Sequence, residues 1–281
     1  MLLPRATGLL LLSSSAPGTR LFSSLPPPSS VLIQGASRGI GLSLAEYYAG
    51  LPTTEKIYCS ARDPAGSAGL TDLAGRHPGR VVPVQLDVSD PASVDAAFSL
   101  VSASSPRLHM VLNVAGVLQD EPRGIVPERN AAAFDASSAA AAFQVNAFGP
   151  MLMAGKFLPL LSPKRKSEDE RPGLFVSFSA RVGSTTDNGL GGWHTYRASK
   201  AAANSFMKTV SLEAGRKSVA VVSVHPGTVD TDLTRAFLKA RGKYDVQELG
   251  EAGRNLGRMF DGMDASWNGR FVDHKGEDVP F

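Results

Sequence analysis

The sequence holds a single cysteine, Cys59, so it has neither a disulfide framework nor a thiolate metal cluster. Its five histidines, His77, His109, His194, His225 and His274, are scattered without ligand spacing, which argues against a metal enzyme. Nor does any apolar run approach the ~20 residues that span a bilayer, so no membrane partner is expected. The net charge of +3 includes no Lys/Arg run of the kind that binds nucleic acid. The densest basic stretch, "SPKRKSEDERPG" at Ser162–Gly173, runs straight into Glu168, Asp169 and Glu170 and reads as a mixed-charge solvated loop.

Acids are also missing from the start of the chain, where the first carboxylate is Glu46. The segment before it is rich in Ser and Leu and carries Arg5 and Arg20, the composition of an organellar transit peptide. "TRLFSS" resembles a mitochondrial processing site, with a cut near Phe22–Ser24. Mitochondrial import is the favoured reading, with plastid or cytoplasmic location as alternatives. A secretory signal built on Leu9–Leu12 is a weaker competitor. Residues 1–29 are thus read as a transit peptide and Pro/Ser linker, with Pro26–Pro28 as a stiff spacer. Residues 30–281, in a chain that is 43% hydrophobic, suit one globular domain with a substantial core.

From Val31 onward, short apolar runs alternate with helical stretches. "VLIQG", "KIYCSAR", "VVPVQLDV", "LHMVLNVAG", "GLFVSFSA" and "VAVVSVHPG" read as strands. "GLSLAEYYAGL", "PASVDAAFSLVS", a long Ala-rich segment from Ala131 to Leu161, and "AAANSFMKTVSLEAG" read as helices. Continuously apolar strands indicate a parallel sheet covered on both faces. The alternation gives βαβ units, and hence an α/β fold with a doubly wound parallel sheet of the Rossmann kind. Ligands of such sheets bind beyond the carboxyl ends of the strands.

The first strand ends in "GASRGIG", where Gly35, Gly39 and Gly41 allow a tight turn and close approach to a diphosphate at a helix N-terminus. At the end of the second strand, where a cofactor ribose would lie, stands Arg62 rather than a carboxylate, and Arg38 sits in the glycine turn. Guanidinium groups suit a 2′-phosphate, so NADPH is favoured over NADH. Further on, "TYRASK" sets Tyr196 and Lys200 four residues apart, on one face of a helix.

Together with "LDV", "NVAG" and "HPGTVDTDL", in this order, these motifs resemble the short-chain dehydrogenase/reductase family over Ser30 to Phe281. "SARVGS", "GGWHTYRASKAA" and the tail "GRFVDHKGEDVPF" resemble its subgroup of sniffer-type carbonyl reductases and C-factor-like proteins. The resemblance implies an oxidoreductase that transfers hydride to a small aldehyde or ketone. Tyr196 would be the general acid, and Lys200 would bind the nicotinamide ribose and favour the tyrosinate by lowering the tyrosine pKa. Asn146 would support the lysine through an ordered water, and Asn113 would fix the strand behind the cofactor. Ser37, Ile40, Ala115, Gly116, Pro226, Gly227, Val229 and Thr231 complete the implied cofactor set, with Asp87 and Val88 flanking the adenine. The family's dimers and tetramers make a homo-oligomer an expectation.

One position departs from the pattern. The serine that polarises the carbonyl usually falls where this chain has Ala180, leaving Ser179 one residue before it and Ser184 one turn beyond. Ser179 is the favoured choice; substitution by Ser184 or a weakened serine role stays open. A dinucleotide-binding signalling or scaffold protein with little turnover is the alternative function. The segment after the sixth strand reads as one or two helices without a legible substrate pocket. Cys59 reads as a buried strand residue, Arg181 as a loop residue, and Trp193 and His194 as either substrate mouth or loop anchor.

Overall fold

The alternating pattern becomes a seven-stranded parallel sheet in the computed structural model, which describes residues 25–162, 171–238 and 245–281. The strands are β1 (Ser30–Gln34), β2 (Lys56–Ala61), β3 (Val81–Gln85), β4 (Met110–Asn113), β5 (Gly173–Phe178) and β6 (Val219–His225). A separate two-stranded ladder joins β7 (Thr228–Val229) to β8 (Val246–Gln247), and β9 (Phe271–Asp273) completes the main sheet. The order is β3-β2-β1-β4-β5-β6-β9, with every pair parallel. The chain winds outward from β1 to β3 and then crosses to the other side at β4. That reversal opens a crevice at the carboxyl ends of β1 and β4.

Helices cover both faces, as continuously apolar strands require. Val31 and Ile33 of β1 face a core shared with α1 (Gly39–Gly50), α2 (Ala68–Arg76) and α8 (Leu249–Asp261). Leu32 points the other way, into a core with α3 (Pro91–Ser104), α5 (Gly149–Leu161) and α6 (His194–Ala214). The short α7 (Asp232–Leu238) follows β7. The sequence reading missed α2 and β9, which are too short to show a period. The transit-peptide reading falls mostly on residues 1–24, outside the described residues, as do residues 163–170 of the basic stretch and 239–244 of the segment after β6.

The Ala-rich segment is not one helix. After a 3₁₀ turn it forms α4 (Ala136–Phe143), a π turn over Gln144–Phe148, and then α5. Asp135 caps α4 by accepting from the Ser138 N–H at 2.7 Å. Pro150 in the first turn of α5 has no N–H to give to the turn before it. The π turn bulges the backbone and puts Asn146, fully buried, beneath the crevice.

Polar side chains seal the amino ends of the strands. Arg171, expected in a solvated loop, is 2% exposed and donates to the carbonyls of Phe260 and Asp261. Those carbonyls end α8, where a cation is favourable; that of Phe260 also accepts from the Met263 N–H. Tyr47 of α1 donates to the Asp261 carboxylate at 2.6 Å. His109, 2.9 Å from the Ser30 hydroxyl, is held neutral: burial, with Arg107 and Arg171 nearby, pushes its pKa down to about 4. The unfolded chain therefore binds more protons than the folded one between about pH 4 and 6.5, and stability falls as pH drops through that window. Thermal melts from pH 7 to 4.5 should show a falling midpoint, with a shallower fall in His109→Gln.

Candidate active site

The crevice is a cleft of about 1650 Å³ that runs from Arg62 at one end to Tyr196 and Trp193 at the other. Its floor is the turn after β1. Gly35 has φ +89°, and a Cβ there would lie 2.8 Å from the Ala115 nitrogen. A Cβ on Gly41 would lie 2.1 Å from the Gly35 carbonyl oxygen. These two glycines let the turn, the loop after β4 and the start of α1 pack backbone to backbone. The Gln34 side chain, not singled out from the sequence, braces the join by accepting from the Ala115 N–H at 3.1 Å.

Of the expected cofactor residues, Gly35, Ser37, Arg38, Gly39, Ile40, Gly41 and Arg62 all line the cleft. So do Asp87, Val88, Ala115, Gly116, Pro226, Gly227, Val229 and Thr231. Asn113 lies behind the wall, 1% exposed, with its Oδ1 unpartnered. Asp87 is firmly held: Oδ1 accepts from the Ser89 N–H and hydroxyl, and Oδ2 from Arg123 at 3.0 Å. Burial pulls the Asp87 carboxyl up, but the Ser89 bonds and the Arg123 and Arg62 cations hold it below the usual range. Arg38 is exposed and pairs with Asp232 at 3.3 Å.

At the other end the groups for proton transfer converge. Lys200 of α6, 3% exposed, donates to the Phe178 carbonyl at 2.8 Å and lies 5.9 Å from the centre of the Tyr196 ring. Asn146 accepts from the Val117 N–H at 2.8 Å, and donates to the Val117 carbonyl at 2.7 Å and to the Ser199 hydroxyl at 3.1 Å. A Cβ on Gly116 would stand 3.0 Å from the lysine Nζ and 3.3 Å from the Asn146 Oδ1, so glycine lets the three pack closely. The expectation that Lys200 would draw the tyrosine pKa down is not what this geometry gives. Burial pushes the Tyr196 phenol up to about 12 and the Lys200 ammonium down to about 8. Desolvation disfavours both charged forms and outweighs their attraction at this separation. Tyr196 therefore rests protonated, as a proton donor.

The two serines separate clearly. Ser179, 5% exposed, lines the cleft, and its hydroxyl is buried without a partner. The Ser184 hydroxyl accepts from the Asp187 N–H at 3.0 Å and so helps shape the following loop. Arg181 pairs with Asp187 at 2.6 Å in that loop. Cys59 is buried, and burial pushes its thiol up to about 12, the state of an inert core residue. Trp193 packs edge-on against Tyr196, with ring centres 6.3 Å apart, and lines the cleft. Arg197 donates to the carbonyls of Gly192 at 2.8 Å, Gly191 at 3.0 Å and Val182 at 3.3 Å. Glu128, from the loop after β4, accepts from Thr195 beside Tyr196. Neither Glu128 nor Arg197 carries a sequence signal, because each acts on residues brought together only by the fold.

The model of the short chain dehydrogenase family matches residues 29–242. Among curated proteins, a Rhodococcus 1-hydroxy-2-glutathionyl-2-methyl-3-butene dehydrogenase is 30% identical over 88% of this chain and 97% of its own. The C-signal protein of Myxococcus xanthus is 31% identical over 52% of this chain and 81% of its own. Among solved structures, carbonyl reductase Sniffer of D. melanogaster shares the fold with a TM-score of 0.79 at 23% identity, over 90% of this chain and 99% of its own. An NADPH-bound carbonyl reductase from chicken fatty liver has a TM-score of 0.78 at 26% identity, over 91% of this chain and 100% of its own.

Gly35→Ala should show whether the cleft floor holds a dinucleotide. The added methyl group meets backbone, and a positive φ costs a non-glycine residue roughly 1–3 kcal/mol. Titration of NADPH fluorescence should show binding weakened at least ~10-fold, with a lower melting temperature.

Proposed function

The chain belongs to the short-chain dehydrogenase family of nicotinamide-dependent oxidoreductases, and from that membership we propose that it is an NADPH-dependent carbonyl reductase acting on aldehydes or ketones. One observation carries the reading: Tyr196, Lys200 and the unpartnered hydroxyl of Ser179 converge at one end of a cleft whose other end holds two arginines. The glycine floor fits the dinucleotide, since side chains at Gly35 and Gly41 would collide with backbone at the place where a diphosphate must come close. Arg62 and Arg38 stand where a 2′-phosphate would lie, which supports NADPH over NADH. Arg38 must part from Asp232 to reach it, at small cost because both are exposed.

The reduced nicotinamide supplies the hydride. Ser179 donates a hydrogen bond to the carbonyl oxygen and draws charge onto it. Tyr196, protonated at neutral pH, passes its phenolic proton to that oxygen as negative charge develops. Lys200, with its pKa near 8, is still mostly cationic at neutral pH and stabilises the tyrosinate left behind. Asn146 braces the loop after β4 against α6, keeping Gly116 and Lys200 in contact range. The acid-free, Arg- and Ser-bearing N-terminal segment supports mitochondrial import, to be tested by sequencing the mature N-terminus from purified organelles.

The activity test follows NADPH absorbance with a panel of aldehydes and ketones. Tyr196→Phe should lower turnover by roughly 10²–10⁴-fold. Ser179→Ala should lower it by roughly 10²–10³-fold, while Ser184→Ala keeps turnover within about threefold of wild type. Steady NADPH binding without Tyr196-dependent turnover on any carbonyl would refute the reading. For the cofactor, Arg62→Ala should raise KM for NADPH and leave KM for NADH unchanged.

A further inference from the structure

The first turn of α6 carries Tyr196 but lacks a cap of its own. Trp193 occupies the N-cap position with φ +52°, a left-handed backbone that bulky residues rarely adopt, and its side chain makes no capping bond. Gly191 and Gly192 before it are left-handed as well, with φ of +65° and +67°. The chain therefore enters the helix through three consecutive left-handed residues, and the N–H groups of the first turn need acceptors from elsewhere.

Glu128 supplies them from a segment 67 residues away. Its main-chain carbonyl accepts from the Trp193 N–H at 2.7 Å. Its carboxylate, on a residue 4% exposed, accepts from the Thr195 N–H at 3.2 and 3.3 Å and from the Thr195 hydroxyl. An ordinary N-cap side chain accepts from the second or third N–H of its own helix, and Thr195 is the second. A carboxylate there also meets the positive end of the helix dipole. Glu128 itself lines the cleft, so a single residue touches both the substrate space and the turn that carries the acid.

We propose that Glu128 is a positioning residue for Tyr196: it fixes the first turn of α6 so that the phenol points at the carbonyl oxygen, and it acts on the proton-transfer step rather than on cofactor binding. The inference rests on Tyr196 being the general acid. Its geometry predicts a division that a merely structural residue would not show. The Glu128 contacts lie at the Tyr196 end of the cleft, whereas the dinucleotide floor is built by Gly35, Gly41 and Ala115.

The test uses the full chain with phenanthrenequinone as the carbonyl probe and NADPH as reductant. It records kcat, KM, the NADPH dissociation constant and the melting temperature. Glu128→Ala should lower kcat by about 10–100-fold, since a misplacement near 1 Å costs on the order of a hundredfold. KM for the quinone and the NADPH dissociation constant should stay within about twofold of wild type, a margin small beside that loss. Glu128→Gln keeps a carbonyl acceptor for the Thr195 N–H and should recover kcat to within about fivefold of wild type. If Glu128→Ala does not fold, Thr195→Val removes the hydroxyl alone and should still lower kcat with NADPH binding unchanged. Wild-type kcat in Glu128→Ala and in Thr195→Val, or a loss matched by weakened NADPH binding, overturns the proposal. Tyr196→Phe separates the two ideas. If it retains turnover, the general-acid reading fails first; if it is inactive while Glu128→Ala is not, only the positioning role fails.

Discussion

The passage of the Gly35 backbone against Ala115 is the constraint on which the rest of the site depends. The sheet reverses its winding between β1 and β4, and at the crevice this opens the Gly35 backbone lies too close to Ala115 for a side chain of its own. Gly41 extends the same contact into α1, and Gly116 extends it towards Lys200. The glycine floor of the cleft and the place of Lys200 are therefore set by one chain of close approaches. Moving the first loop would move the second, and with it the surroundings of Asn146.

Upon that frame, desolvation sets the resting charges. Tyr196 and Lys200 lie close enough to influence each other, yet burial drives each towards neutrality. A tyrosine held protonated and a lysine still mostly cationic near neutral pH make a donor with a waiting counter-charge. In the proposed reduction the proton leaves the phenol and the lysine answers the anion that forms. The buried Ser179 hydroxyl at the same end of the cleft has no hydrogen-bond partner.

Much of this was legible in the sequence because it is local. Continuously apolar strands gave the parallel sheet, and the strand-end glycines, "NVAG" and the Tyr196–Lys200 spacing marked the cleft. Elements that depend on distant partners were not legible. Glu128 is an ordinary acid in "PER" until folding sets it against Thr195, and Arg171 reads as part of a solvated loop until α8 offers it two carbonyls. Between Ser179 and Ser184 the difference is one of place, since Ser179 lines the cleft and Ser184 is turned into the following loop. The direction of the tyrosine shift was misjudged because a charge can be counted in sequence, whereas burial depth cannot.

The π turn at Gln144–Phe148 is, in helical terms, one residue too many. A regular α-helix through this stretch would carry Pro150 in its interior, where the missing N–H breaks the ladder. The wider turn sets the Asn146 amide against Val117 and Ser199. At this point the most regular backbone and the one that seats Asn146 are different backbones.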